Sequence, residues 1–292
     1  MEKRYCVLVA CMMAFLCLLF ACQKDDGVMG GEDTRLPIDL SGEIDQVMLS
    51  RVNDGGFCDK DVIGVYIVDY EGGKPGELKL EGNRASNVQF TYNDANNKWS
   101  GAYDIYWKDS KTPIDVYGYY PWNSQESIGE YAFEVQKDQS KAGENGNLGG
   151  YEASDFLWGK AEEVAPSTKV IRLAFRHKMS TARVTLVEGE GFAEGEWTGL
   201  EKQVLVTNTK RKALIDLKTG NVTATGTVAI TGTIPYQKDG EFRAIVVPQE
   251  ISTGTELFKI TVDGVVYAFK KNEAFTYVSS KLHNFTIKVN SR

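Results

Sequence analysis

Histidine is nearly absent from this 292-residue chain. His177 and His283 are the only two, which excludes a metal centre built on several imidazoles. Basic charge is also in deficit: 33 Lys and Arg stand against 40 Asp and Glu, a net charge of −7. Such a chain is poorly suited to gripping nucleic-acid phosphates or anionic lipid. Its 29 glycines follow no Gly-X-Y period, and its 7 prolines are too few for a collagen-like or proline-rich filament. No HExxH or GxSxG motif occurs. Outside the first 21 residues no run of ten or more residues has clear helical periodicity. With 42% hydrophobic and 25% charged residues the composition is otherwise that of a globular protein.

The one long apolar run lies at the start. Lys3 and Arg4 precede Tyr5 to Ala21, 17 residues without a charge. That is short for a spanning helix and has the flanks of a secretory signal. It ends in Leu19-Phe20-Ala21-Cys22, the lipobox pattern of bacterial lipoproteins, with Phe20 bulkier than usual. The expectation is a lipoprotein signal peptide over 1–21 and lipidation of Cys22. Several acyl chains hold a protein on a membrane where a single chain does not. Gln23, Lys24, Asp25 and Asp26 follow, and a Lys-acidic-acidic cluster at this place resembles the surface-export signal of Bacteroidota lipoproteins. It implies the outer face of the outer membrane, with the lipid anchor as the membrane contact. Removing 1–21 also removes Cys6, Cys11 and Cys17, so the mature chain has no internal disulfide: Cys22 is acylated and Cys58 is the other thiol. The mature net charge is then near −8.

Residues 22–35 read as a polar tether. From Leu36 the pattern turns β-like, with Ile38, Leu40 and Ile44 on alternate positions. Val62 to Val68, Val88 to Tyr92, Ile105 to Trp107 and Ile114 to Tyr120 read as strands, and residues 137–155 as a long surface loop. More strands follow Pro166, with Asp263-Gly264 as a hairpin turn between two of them. Many short strands at near-regular spacing mean an all-β sandwich or barrel. The 271 mature residues suit two tandem β-sandwich domains, placed at 36–165 and 166–292.

A set of motifs runs through this region in order. Ser50-Arg51-Val52 precedes Phe57 and Asp61 to Tyr66; then come Trp107, Tyr117-Gly118-Tyr119-Tyr120-Pro121, Asp155-Phe156-Leu157, Leu173 to Met179, Val247-Pro248-Gln249, Leu257 to Ile260 and Phe285 to Val289. Their order resembles the fimbrillin-like family of Bacteroidota, the Mfa-like type V pilins. The resemblance implies two transthyretin-like sandwiches and a fimbrial subunit in adhesion. It also implies assembly with other pilin subunits by β-strand addition, once an Arg-specific protease has removed the first strand. Carried onto this chain, the removable strand lies within Leu36 to Ser50, and Arg51 is the expected cut. Arg35 is the second choice, since a cut there leaves the strand attached. The sequence stops at Ser291-Arg292 directly after its last β run, which points to a tip or accessory subunit as readily as to a shaft.

No enzyme and no cofactor is expected. Cys58 with His177 or His283 would make a nucleophile and base, but more than 100 residues separate them and no signature surrounds the thiol. Asp59 and Asp61 start like a calcium loop, but Ile63 holds the next ligand position, so no metal is expected. Lys210-Arg211-Lys212 is a charged turn, and no nucleic-acid partner is implied. The alternative to a pilin is a monomeric surface lipoprotein that binds glycans. Its candidate contacts are Trp99, Trp107, Tyr119, Tyr120 and Trp122, where consecutive Tyr119 and Tyr120 point to opposite faces and one of them is expected to be exposed. Host or bacterial surface proteins are further candidate partners.

Overall fold

The computed structural model describes residues 35–45, 56–124, 126–144, 147–229 and 231–291. Twenty strands, numbered β1 to β20 along the chain, make up almost all of its regular structure. One helical turn at Glu196–Gly199 and a 3-10 turn at Glu152–Ser154 are the helical elements among the described residues. The all-β expectation therefore holds.

The largest sheet has the order β1 (Leu40–Ile44), β9 (Ile171–His177), β8 (Leu157–Val164), β6 (Ile114–Tyr120), β2 (Val62–Glu71), β4 (Ala85–Asn93) and β5 (Lys98–Gly101), with β3 (Lys74–Pro75) on the side of β2. Its central strands are buried on both faces: all seven residues of β6 are buried, Asp115 included, whose carboxylate pairs with Lys160 of β8 at 3.1 Å. Strands buried in this way belong to sheets covered from both sides. Ile63, Val65 and Ile67 of β2 point into one core with Trp99, Val116, Leu173 and Phe175. Tyr66 and Val68 point into a second core with Tyr117, Tyr119 and Phe156. The two edge strands β1 and β5 come into contact, so the sheet curls around the first core.

Three smaller sheets and a two-stranded ribbon complete the body. β13 (Asn221–Ala229), β12 (Thr209–Asp216) and β7 (Tyr131–Glu134) form one, whose Tyr131, Phe133, Ala213 and Ile215 close the second core. β14 (Tyr236–Lys238), β15 (Glu241–Val246), β10 (Ser180–Glu188) and β20 (Leu282–Val289) form another, in which β20 runs parallel to β10. It faces β11 (Lys202–Val206), β17 (Glu256–Val262) and β18 (Val265–Lys270) across a third core that includes Phe258, Ile260 and Phe285. β16 (Gln249–Ile251) pairs with β19 (Phe275–Tyr277). The β17–β18 hairpin turns at Asp263 and Gly264, both at positive φ (44° and 79°), the geometry of a two-residue turn that matches strand twist.

Two expectations need correction. The division at 165/166 falls inside the largest sheet, because β9 lies beyond it and pairs with β8 and β1. β7, from the first half, pairs with β12 from the second. The loop 137–155 is anchored to the core. Gln139 is buried, and its side-chain amide accepts from the Ile245 N–H and donates to the Ile245 carbonyl, each at 2.8 Å. Tyr151 and Ser154 are buried as well. The polar composition of this segment hides the few side chains that pin it.

His283 on β20 accepts a hydrogen bond at Nε2 from the Val278 N–H at 3.2 Å. Burial, aided by Lys281 and Lys271, pushes its pKa down from 6.5 to about 4. The unfolded chain thus takes up a proton near pH 6.5 that the folded chain refuses until about pH 4. Its contribution to stability is complete above pH 6.5 and is lost as pH falls toward 4. Urea unfolding at a series of pH values should show this loss, and His283→Gln should flatten that part of the profile.

Candidate functional site

The segment 36–45 is the element through which the largest sheet closes. It is hydrogen-bonded on both sides, to two different parts of the chain. On one side Trp107 N–H donates to the Leu36 carbonyl at 2.9 Å and Ile38 N–H to the Ile105 carbonyl at 2.8 Å. On the other, β1 runs parallel to β9 with Leu40 beside Ile171, Gly42 beside Leu173 and Ile44 beside Phe175. Ile171 N–H donates to the Asp39 carbonyl and Asp45 N–H to the Phe175 carbonyl, both at 2.8 Å.

The alternation read from the sequence sets its two faces. Ile38 and Leu40 are 6% and 5% exposed and belong to the first core. Ile44 packs against it. Pro37, Asp39 and Glu43 face solvent. Each of the two buried branched side chains contributes roughly 1.5–3 kcal/mol. The outward ion pairs, Glu43 with Arg172 at 3.9 Å and Asp45 with Arg176 at 3.4 Å, are exposed and add little. Apolar burial and the backbone ladder therefore hold this segment. Phe57 packs against the same core and stands edge-on to Trp99 and Phe175, with ring centroids 4.8 and 5.4 Å away. The indole N–H groups of Trp99 and Trp107 are buried beside the segment with no acceptor among the described residues.

Several expected site residues lie outside the described residues: Cys22, Gln23, Lys24, Asp25, Asp26 and Arg51. Arg35 is exposed, one residue before Leu36. The aromatic platform is overturned for four of its five members. Trp99, Trp107, Tyr119 and Tyr120 are 8%, 3%, 1% and 2% exposed and cannot stack on a sugar. Tyr119 and Tyr120 do point to opposite faces of β6, but both faces are covered, by different cores. Their hydroxyls are satisfied internally, Tyr119 by Asn87 and the Asn123 carbonyl, Tyr120 by Asp61 Oδ1 at 3.0 Å. Trp122 is half-buried, donates to the Asn87 carbonyl, and lines a cleft of about 760 Å³ together with Gln89, Asn123, Glu134 and Gln136.

The other polar candidates serve the fold. His177 and Asp155, both buried, are paired at 2.9 Å between Nδ1 and Oδ1. Asp61 accepts from the Cys58 N–H at 2.7 Å, which makes it a turn acid. Lys160 bridges Asp115 at 3.1 Å and Glu162 at 2.7 Å. Burial disfavours its charge, but hydrogen bonds to Glu162, Tyr117 and Asp115 outweigh that and raise its pKa. No cluster of three or more His, Cys, Asp or Glu placed to hold a metal ion occurs among the described residues.

What sequence reasoning missed is the wall of the groove. Leu173 and Phe175 are legible as inward residues of a strand, but their parallel pairing with a segment more than 120 residues earlier leaves no local mark.

With fold and groove in place, the comparisons define the class. The model of the fimbrillin-like family matches residues 50–292, and the chain belongs to that family. The match begins just after β1. Similar solved structures include candidate cell adhesion proteins from Bacteroides uniformis and Bacteroides ovatus. The first has TM-score 0.60 and 18% identity over 88% of this chain and 94% of that one; the second has 0.63 and 14% over 87% and 92%. The tip fimbrial protein Mfa3 from Porphyromonas gingivalis has TM-score 0.50 and 8% identity over 87% and 95%. A comparison with curated proteins finds no match.

Leu40→Ala should cost about 2–4 kcal/mol, as expected for a buried leucine whose site cannot collapse. Asp39→Ala on the outer face should change stability by less than about 0.5 kcal/mol. Urea unfolding of the two variants checks the difference.

Proposed function

We propose that this protein is a non-enzymatic fimbrial subunit in adhesion, tip or accessory as readily as shaft, that takes a strand from another subunit in place of its own β1. In this reading the signal peptide is removed, Cys22 is acylated, and Gln23 to Asp26 direct the protein to the outer face of the outer membrane. A protease then hydrolyses the peptide bond after Arg51. Residues up to 51 are left attached to the body by non-covalent contacts alone. When they depart, the groove between β9 and residues 105–107 exposes unpaired backbone groups and the apolar side chains that Ile38 and Leu40 had covered.

The observation that carries this reading is the placement of segment 36–45. It is woven between two partners by hydrogen bonds, it is short, and it lies at the N-terminal end of the body. An open groove of this kind binds an extended strand by β-augmentation: the ladder gives affinity and alternate side chains give register. Left empty it is an aggregation hazard, so a covalently attached plug protects the subunit until assembly. Head-to-tail insertion does not close on itself and therefore builds filaments. Membership of the fimbrillin-like family supports the same reading, as does the likeness to a tip fimbrial protein. A cut after Arg35 would leave β1 in place and open nothing.

Incubation of the chain from Cys22 onward with an Arg-specific protease should cleave after Arg51 and then yield a ladder of oligomers. Arg51→Ala should abolish both. Cleavage after Arg51 followed by monomers that stay folded and never associate would refute the proposal.

A further inference from the structure

The groove that β1 fills varies along its length. At Ile38 and Leu40 it admits branched side chains. Two residues further on, at Gly42, it admits none. A Cβ at position 42 would lie 3.0 Å from Phe175 Cε2, 3.3 Å from Trp99 Nε1 and 3.4 Å from Trp99 Cε2. Neither ring is free to retreat. Phe175 is wholly buried, and its far side rests on Gly118, where a Cβ would stand only 2.7 Å from Phe175 Cζ. Phe57 stands edge-on to both rings. Phe175 thus occupies the space left by two glycines, one on β1 and one on β6.

We infer that Gly42 determines which strand this groove accepts. The accepted strand runs parallel to β9, carries apolar side chains four and two residues ahead of a glycine, and seats that glycine against Phe175 and Trp99. For the protein's own β1 the inference stands alone; for an incoming strand it rests on the strand-exchange reading above. The selectivity acts on register as well as on identity. A slip of two residues brings Leu40 or Ile44 against the rings. A slip of one turns Asp39 or Glu43 toward the apolar side chains of the first core, where burying a carboxylate is costly. The partner is therefore a subunit with an extended segment of the pattern apolar–polar–apolar–polar–Gly–polar–apolar, as in Ile38 to Ile44.

The test has two arms. In the intact mature chain, amide exchange at Ile38 and Asp45 reports the seating of β1. Gly42→Val should raise their exchange about tenfold or more relative to β2 amides. Gly42→Ala should have a smaller effect, and Glu43→Val on the outer face should stay within about twofold. Adding Phe175→Leu to Gly42→Val should restore much of the protection, since it returns the space. Gly42→Val exchanging no faster than Glu43→Val would overturn the inference. In the second arm, chain cut after Arg51 is offered synthetic peptides of residues 36–45. The natural peptide should bind about tenfold more tightly than its Gly42→Val counterpart, and the Phe175→Leu chain should narrow that gap. Equal binding would overturn the inference for incoming strands. If no peptide enters the cut chain, strand exchange itself fails, and the first arm still decides the role of Gly42.

Discussion

The backbone hydrogen bonds of one short segment close the largest sheet of this molecule. Residues 36–38 bond to 105–107, and residues 39–45 bond to β9. The sheet curls far enough to bring β1 and β5 together, and the first core fills the space inside. Neither the ladder nor the apolar burial suffices alone. A strand with two exposed faces would be held by hydrogen bonds of modest net value, about 0.5–1.5 kcal/mol each. An apolar segment without a ladder would leave buried backbone groups unpaired. The combination holds the segment along both of its edges and through its inward side chains.

The rest of the body is built so that this segment is not its sole support. The second core binds the largest sheet to β7, β12 and the end of β15 through Tyr66, Tyr119, Phe133, Ile215 and Ile245. Polar ties cross the same region: Gln139 to Ile245, and Trp158 Nε1 to the Leu217 carbonyl at 2.9 Å. The third core lies wholly within residues 182–289. Neither the second nor the third core takes a side chain from segment 36–45, so both stand independently of it.

Much of this was legible in the sequence. Period-two alternation located Ile38, Leu40 and Ile44 on one face, and the strand read over Ile114 to Tyr120 matches β6 residue for residue. Asp263-Gly264 marked its hairpin because positive φ at both positions favours those residues. Short strands escaped. Tyr131–Glu134, Gln249–Ile251 and Phe275–Tyr277 are too brief for a period to show, and pairing with distant strands creates them. The expectation of an exposed tyrosine on β6 failed because alternation gives the two faces of a strand but not what covers them. Gly42 carries no local mark in the sequence. Its meaning comes from Phe175 and Trp99, which are remote in sequence and adjacent only in the fold.

Under the strand-exchange proposal, segment 36–45 is a separable stave of an otherwise self-sufficient body. Native-state amide exchange of the uncut chain across low denaturant concentrations measures this directly. The account predicts that the amides of Ile38 and Asp45 exchange through a local opening, at lower free energy and with a smaller denaturant dependence than the amides of β2 and β6. If all of these amides instead exchange together, only with global unfolding, the first strand is an inseparable part of the fold and the account is contradicted.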